Sequence, residues 1–141
     1  MKTLYLILIV LLSTNAGFGQ SLTRAKENET VWVIVQHVKA DKREQFENFI
    51  HNVFWPASTK LSEDEQRVFK QTRTMHAGKA DPDGTYPYIF IMDPVVAGGD
   101  YDVESLLTKM FGAEKAAEHY KTFTDTMDRE SNNYEVTQSK R

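Results

Sequence analysis

The chain has 141 residues and a net charge of −3 at pH 7, from 17 basic and 20 acidic side chains. It contains no cysteine, which excludes disulfides, thiol catalysis and thiolate metal sites. The sequence has no basic cluster that could contact a run of phosphates, so we expect no nucleic-acid partner.

The N-terminal stretch has the three parts of a secretory signal peptide. Lys2 precedes an apolar run from Leu4 to Leu12, and small and polar residues follow up to Gly19. The run is well short of the roughly 20 residues that cross a bilayer. We therefore predict cleavage before Gln20, export to the periplasm or the medium, and no stable membrane span after cleavage. The predicted divisions are a signal peptide over 1–19, a flexible lead-in over 20–30 and a single domain over 31–141.

The domain opens with an apolar strand that leads into an amphipathic helix. Val31 to Val35 is apolar at every position, as in a central strand that is covered on both faces. A helix is predicted from Lys42 to about Trp55, because apolar residues recur there at helical spacing. These residues are Phe46, Phe49, Ile50, Val53 and Phe54.

Three signals are predicted to mark helix ends. Asp41, with Glu44 three residues later, has the spacing of a capping box for the first helix. Pro56 is expected to bend or end that helix, because proline has no amide proton. Ser62 repeats the capping pattern with Glu65 and predicts one further helical turn.

The remaining elements alternate between strands and helices. In chain order we predict a polar edge strand (Arg67–His76), a turn (Ala80–Gly84), an apolar strand (Tyr88–Met92), a helix capped by Asp102 (Val103–Phe111), a break at Gly112, a second helix (Ala116–Met127) and a polar last strand (Tyr134–Gln138). The order is β-α-β-β-α(α)-β, which is typical of an α+β, ferredoxin-like fold with a four-stranded antiparallel sheet.

The two apolar strands predict a second consequence. Helices can cover only one face of such a sheet, yet the first and third strands carry apolar side chains on both faces. An apolar face left in water is an aggregation hazard. We therefore expect a homodimer in which a second copy covers this face, forming a dimeric α/β barrel.

The stretch from Val31 to Phe49, VWVIVQHVKADKREQFENF, resembles the opening of the dimeric α/β-barrel superfamily. In that superfamily a strand ends in a polar residue and is followed by a basic turn and a helix with paired phenylalanines. The resemblance is closest to domains of the antibiotic-biosynthesis-monooxygenase type. It implies the fold, and it leaves the chemistry open because the superfamily also includes haem-degrading enzymes, isomerases and members without a known reaction.

Strand directions place four polar side chains at one end of the sheet. His37 and His76 end the first and second strands, and Tyr86 and Tyr88 lie at the start of the third. Imidazole and phenol groups there could serve acid–base chemistry, or they could be rim residues with polar tips in water. We take His37, His76 and Tyr88 as catalytic candidates and Tyr86, Trp55 and Arg73 as ligand-binding candidates.

Two further expectations concern Trp55 and metals. Unless Pro56 redirects it, Trp55 lies away from the apolar stripe of the first helix and is an exposed contact residue. The four histidines have no paired ligand spacing, so we predict no metal site. No bound cofactor is predicted either.

These features leave different classes of function open. The leading hypothesis is an exported, small-molecule-binding dimer, which could be a cofactor-independent monooxygenase-like enzyme acting on an aromatic or polycyclic ligand. One alternative is a non-enzymatic binding or assembly module that uses the barrel dimer. The other is a haem-binding or haem-degrading protein, which would need His, Trp and Asn to converge between helices and sheet. A pocket of a few hundred Å³ with convergent polar groups would favour the small-molecule hypothesis.

Overall fold

A computed structural model describes residues 23–140. Four strands, β1 (Thr30–Val38), β2 (Thr72–His76), β3 (Tyr86–Met92) and β4 (Asn132–Thr137), form one antiparallel sheet in the order β2-β3-β1-β4. This order confirms the α+β, ferredoxin-like fold, with β1 and β3 central and β2 and β4 at the edges. The predicted signal peptide lies outside the described residues. None of the helices in residues 23–140 is long and apolar enough to span a membrane.

Helix α1 is a continuous run of helical segments over residues 40–60. Its parts are a 3₁₀ turn (Ala40–Lys42), an α-helix (Arg43–Asn48), a π-helix (Phe49–Phe54), a short α-helical piece (Trp55–Ala57) and a final 3₁₀ turn (Ser58–Lys60). The α-helical part ends at Ala57, directly after Pro56, and the 3₁₀ turn carries the helical run on to Lys60. The π-helix comes directly before the proline, and the Trp55 amide donates to the Ile50 carbonyl, five residues back.

The predicted capping signals have different outcomes. Asp41 lies inside the first 3₁₀ turn and caps nothing, because Lys39 takes the N-cap position and the Lys42 amide donates to its carbonyl. Ser62 does form a capping box with Glu65, and the helix that it begins is longer than the single turn predicted. Asp102 accepts the Ser105 amide at 2.7 Å, as predicted.

Helix α2 (Glu63–Gln71) replaces the first half of the predicted second strand. The prediction of a strand from Arg67 was wrong because the strong capping box at Ser62 propagates through Val68 and Phe69, whose β propensity is a weak local preference. Both side chains are buried against the core, and the strand itself begins at Thr72.

The second helical region is two helices, α3 (Val103–Phe111) and α4 (Ala113–Thr124). Gly112 separates them with a φ of +78°, which a residue with a Cβ adopts only at a cost. The hairpin between β2 and β3 turns as predicted, with the Gly84 amide donating to the Asp81 carbonyl at 2.9 Å. All the helices pack on one side of the sheet around the aromatic core of α1, chiefly Phe46, Phe49 and Phe54.

The strand register assigns each strand residue to the helix-facing side or to the opposite side, here called the outer face. The outer face carries apolar side chains from all four strands: Met75, Ile89, Ile91, Val31, Val33, Val35, Tyr134 and Val136. Among the described residues, the large hydrophobic side chains classed as exposed are Met75 (44%), Tyr134 (53%) and Val136 (44%), and all of them lie on this face. No helix of the described chain covers it.

Part of the predicted lead-in is hydrogen-bonded to the domain. The Ala25 amide donates to an Asp93 carboxylate oxygen at 2.7 Å, and the Asn28 amide donates to the Gln138 carbonyl at 3.0 Å. These bonds tie the chain before β1 to the ends of β3 and β4.

Candidate functional site

Tyr88 is the centre of a polar cluster between β3 and the start of α1. Its side chain lies on the helix-facing side and is 2% exposed. The hydroxyl donates to a Glu47 carboxylate oxygen and accepts from Arg43 Nε at 3.3 Å. Arg43 Nη2 also lies 3.3 Å from the same Glu47 oxygen, one helical turn away. A phenol, a carboxylate and a guanidinium therefore meet at this point.

Two of the predicted site residues complete this arrangement, here called the Tyr88 cluster (Arg43, Glu47, His76, Tyr86 and Tyr88). The Arg43 guanidinium carbon lies 4.0 Å from the centroid of the Tyr86 ring, a cation–π contact. The exposed His76 is paired with Tyr88 across the β2–β3 ladder, with ring centroids 5.6 Å apart. The sheet end predicted from strand direction does bring His76, Tyr86 and Tyr88 together.

The hydrogen bonds of the cluster fix where its protons lie. The Tyr88 hydroxyl, and after it Arg43, holds the pKa of Glu47 below its ordinary value. Burial, and after it Glu47, raises the pKa of Tyr88. At neutral pH the phenol is therefore protonated and donates to an ionised carboxylate. The Tyr88 hydroxyl is bonded to two protein groups, whereas Glu47 and His76 are members of the cluster that water reaches.

His37 lies on the other side of the sheet. Its register places it on the outer face, where it is 7% exposed beneath side chains of the segment before β4. Arg129 Nη2 lies 2.9 Å from His37 Nδ1, and His37 Nε2 lies 2.5 Å from Asn132 Oδ1. Because guanidinium can only donate, Nδ1 is the acceptor and the proton of the neutral ring is on Nε2. The three catalytic candidates therefore share one end of the sheet without sharing one site.

Arg73 also lies on the outer face, where it pairs with Asp93 at 2.9 Å. The same carboxylate accepts the Ala25 amide of the lead-in. Arg73 thus holds a strand end and the lead-in together, on the face of the sheet opposite the Tyr88 cluster.

Trp55 is half-buried and packs against the core, which makes the expectation of an exposed tryptophan wrong. Its ring packs against Phe54, Phe69 and Phe90 at centroid distances of 5.9, 5.5 and 6.3 Å. The reason is the π-helix, whose turns hold more residues than α turns, so that Trp55 is rotated back toward the sheet.

Trp55 lines an apolar cavity of about 80 Å³ between the helices and the sheet. Other aromatic walls come from Phe49, Phe54, Phe69, Phe90 and Phe123. The polar lining groups are Gln36, Thr72 and Tyr101. The Thr72 hydroxyl donates to the Val68 carbonyl, and the Tyr101 hydroxyl accepts the Val96 amide. No carboxylate or imidazole is present among these lining residues. The buried hydroxyl of Thr74, beside Phe90 in the sheet, has no partner within the described residues.

Gln36, Arg43 and Glu47 were not among the site residues predicted from the sequence. A signal for Gln36 was present, since it is a polar residue within an apolar strand. The spacing of Arg43 and Glu47 on the first helix is that of an i, i+4 ion pair. Their contact with Tyr88 depends on how the helix packs against the sheet, which the sequence does not show.

Haem does not fit the residues that the structure brings together. His37 and Asn132 meet on the outer face, whereas Trp55 lies in the cavity on the other side of the sheet. The cavity of about 80 Å³ is far smaller than a porphyrin and has no imidazole in its lining. Within residues 23–140 there is also no group of three or more His, Asp or Glu side chains placed to hold a metal ion.

Comparison with known proteins gives a likeness at the level of structure. No family model matches the sequence, and no curated protein matches it. Among solved structures, a Caulobacter crescentus protein described provisionally as an antibiotic biosynthesis monooxygenase is similar, with 11% identity and a TM-score of 0.42. The match covers 81% of this chain and 92% of that one. The fold assignment rests on the strand order and directions of this chain.

Proposed function

We propose that this chain is exported and acts as a homodimeric α/β barrel that binds a small apolar molecule between its helices and its sheet. The observation that carries the proposal is the outer face, which carries apolar side chains in all four strands and has no helix of residues 23–140 over it. A second copy of the chain is the occupant that fits, because two such faces are complementary by symmetry and need no further partner.

The dimer is tested with two variants that place the same charge on opposite faces of the sheet. Val33→Asp places a charge at the middle of the outer face, where Val33 pairs with Ile91 and Tyr134. Asn133→Asp places the same charge on the helix-facing side of β4, at an exposed position. We expect Val33→Asp to elute as a folded monomer in size-exclusion chromatography and Asn133→Asp to elute with the unmodified protein. Equal elution of all three, with intact circular dichroism, would contradict the proposed interface.

The apolar cavity supports the ligand-binding part of the proposal. Its volume of about 80 Å³ is well below the roughly 300–1,000 Å³ of pockets for drug-sized ligands. It is also smaller than the roughly 150 Å³ engineered cavity that binds benzene. We therefore propose a ligand no larger than a single ring, rather than a polycyclic molecule. A full ring enters only if the half-buried Trp55 side chain moves to enlarge the cavity.

Ligand binding is tested by enlarging and by blocking the same cavity. Phe90→Leu removes part of an aromatic wall, and Leu106→Phe fills the cavity from helix α3. With toluene or indole as the probe and ligand-observed NMR as the readout, we expect Phe90→Leu to bind at least as well as the unmodified chain. Leu106→Phe should lose binding. Binding that is the same in all three proteins would place the ligand elsewhere.

A second candidate is turnover of the bound ligand, by the cofactor-independent oxygenation that the resemblance of Val31 to Phe49 implies. The aromatic lining and the Gln36 amide are the features that favour it. The lack of a carboxylate or imidazole in that lining favours binding without reaction, since proton abstraction needs a base. Oxygen uptake during incubation with a ligand found by NMR would establish turnover, and a Gln36→Leu variant should then lose it. If a ligand binds but no oxygen is consumed, the non-enzymatic binding function remains.

Export is proposed from the leader in the sequence. Intact-mass measurement of protein recovered outside the cytoplasm should give a chain that begins at or near Gln20. A recovered chain that retains Met1 would contradict export by signal cleavage.

A further inference from the structure

A second groove lies on the helix-facing side of the sheet, at the end where β1 begins. It has a volume of about 490 Å³, within the usual range of small-molecule sites. The start of β1, β4 and the loop after β3 form its walls, and Trp32, Pro94, Val95 and Ala97 supply its apolar surface. The groove is thus larger than the cavity beside Trp55 and separate from it.

The charged groups of this groove have one sign. Glu29 and Glu135 both line it, and none of the residues lining it is basic. Glu135 Oε2 accepts the indole N–H of Trp32 at 3.1 Å, and Glu29 Oε2 accepts the Lys26 amide at 2.7 Å. Each of these bonds uses one carboxylate oxygen, and the other oxygen has no hydrogen bond within the described residues.

The residues that form the walls of the groove are held in place by contacts with the rest of the protein. Trp32 packs against Tyr101 with ring centroids 5.1 Å apart, which orients the indole. The Val95 amide donates to the Thr30 carbonyl at 2.9 Å, and the Gln138 amide donates to the Glu29 carbonyl at 2.9 Å. An aromatic ring and two carboxylates are therefore held together in advance of any ligand.

We propose that this groove binds a small organic ammonium ion that carries apolar substituents. An indole face attracts a cation within about 6 Å of the ring centroid, and the two carboxylates supply opposite charge across the same space. The loop of Pro94 to Ala97 gives the substituents an apolar surface. The site does not depend on the proposed dimer or on the cavity ligand, because the groove lies on the side of the sheet opposite the outer face.

Benzyltrimethylammonium is a suitable probe, and its neutral counterpart is a benzyl-substituted tertiary alcohol of the same shape. Binding is followed through the Trp32 indole N–H signal in NMR spectra of the unmodified chain. The sequence has two tryptophans, so a Trp55→Phe variant assigns that signal. We expect saturable binding of the cation, weaker binding at high salt because charges are screened, and much weaker binding of the alcohol.

Glu29→Gln and Glu135→Gln remove the charges and keep an oxygen to accept the existing hydrogen bonds. We expect each to raise the dissociation constant by about threefold and the double variant by about tenfold, as for ion pairs of exposed side chains. Glu114→Gln, an exposed position at the start of α4, is the matched control and should change nothing.

Three results would overturn the proposal. They are equal affinity for the cation and the alcohol, unchanged affinity in the double variant, and no shift of the Trp32 signal at the highest probe concentration. If a glutamine variant is shown by circular dichroism to be unfolded, the salt series and the neutral alcohol decide the question in the unmodified chain.

Discussion

Replacing Tyr88 with Phe isolates the hydrogen bond at the centre of the Tyr88 cluster. The variant keeps the ring, which packs on Phe46 at a centroid distance of 4.5 Å, and removes only the hydroxyl. Hydrogen bonds to charged groups contribute about 1.5–3 kcal/mol. The Glu47 side chain is 40% exposed, so water replaces part of the lost interaction and solvent screening reduces it further. We therefore expect a loss of about 1 kcal/mol in the free energy of unfolding.

The same variant predicts a dependence on pH. The folded state holds the pKa of Glu47 below its ordinary value of 4.5. The stabilisation is thus fully present above that ordinary value and is lost as the pH falls through the lower, folded-state pKa. The difference between Tyr88→Phe and the unmodified chain should shrink over the same interval.

Urea unfolding at several pH values, at one protein concentration, measures both effects. NMR titration of Glu47 should show its pKa rising toward the ordinary value in Tyr88→Phe. Tyr120→Phe is the control, because its hydroxyl makes no hydrogen bond within the described residues. A Tyr88→Phe variant as stable as the Tyr120→Phe variant, or an unchanged Glu47 pKa, would refute the assignment of protons in the cluster.

Two further predictions concern the turn before β3 and a close backbone approach. Hydrogen bonds from Thr85, with Arg129 nearby, lower the pKa of Asp83 to about 2, so its stabilising effect is lost as the pH falls from its ordinary 3.8 toward that value. The stability of Asp83→Asn should accordingly fall less steeply with decreasing pH than that of the unmodified chain. An equally steep fall in both proteins would contradict this role of Asp83. Gly99→Ala should cost about 1–3 kcal/mol in urea unfolding, because a Cβ there would lie 2.8 Å from a Val68 methyl. A neutral effect would mean that Val68 moves freely.

The sheet was predictable because its central strands must be apolar on both faces. Val31 to Val35 and Tyr88 to Met92 have that property, and the edge strands do not. The boundary of the second strand was not predictable, since Val68 and Phe69 suit a strand locally and a helix only after the Ser62 cap is extended. The position of Trp55 depended on the π-helix, which leaves no clear pattern in the sequence.

The sequence predicted which end of the sheet carries the candidate site residues, but it did not predict which face of the sheet each of them lies on. Strand direction alone placed His37, His76 and Tyr88 at one end. Their faces depend on the parity of each strand, and a strand that is apolar at every position has no alternation from which parity can be read. The side of His37 therefore required the register with β3 and β4.

The mass of the purified chain in solution tests the central claim most directly. Light scattering across a dilution series in the micromolar range should give twice the mass of one chain, because in the proposed dimer each copy covers the outer face of the other. A mass equal to one chain throughout the series would contradict the dimeric barrel. The apolar outer face would then need a different partner.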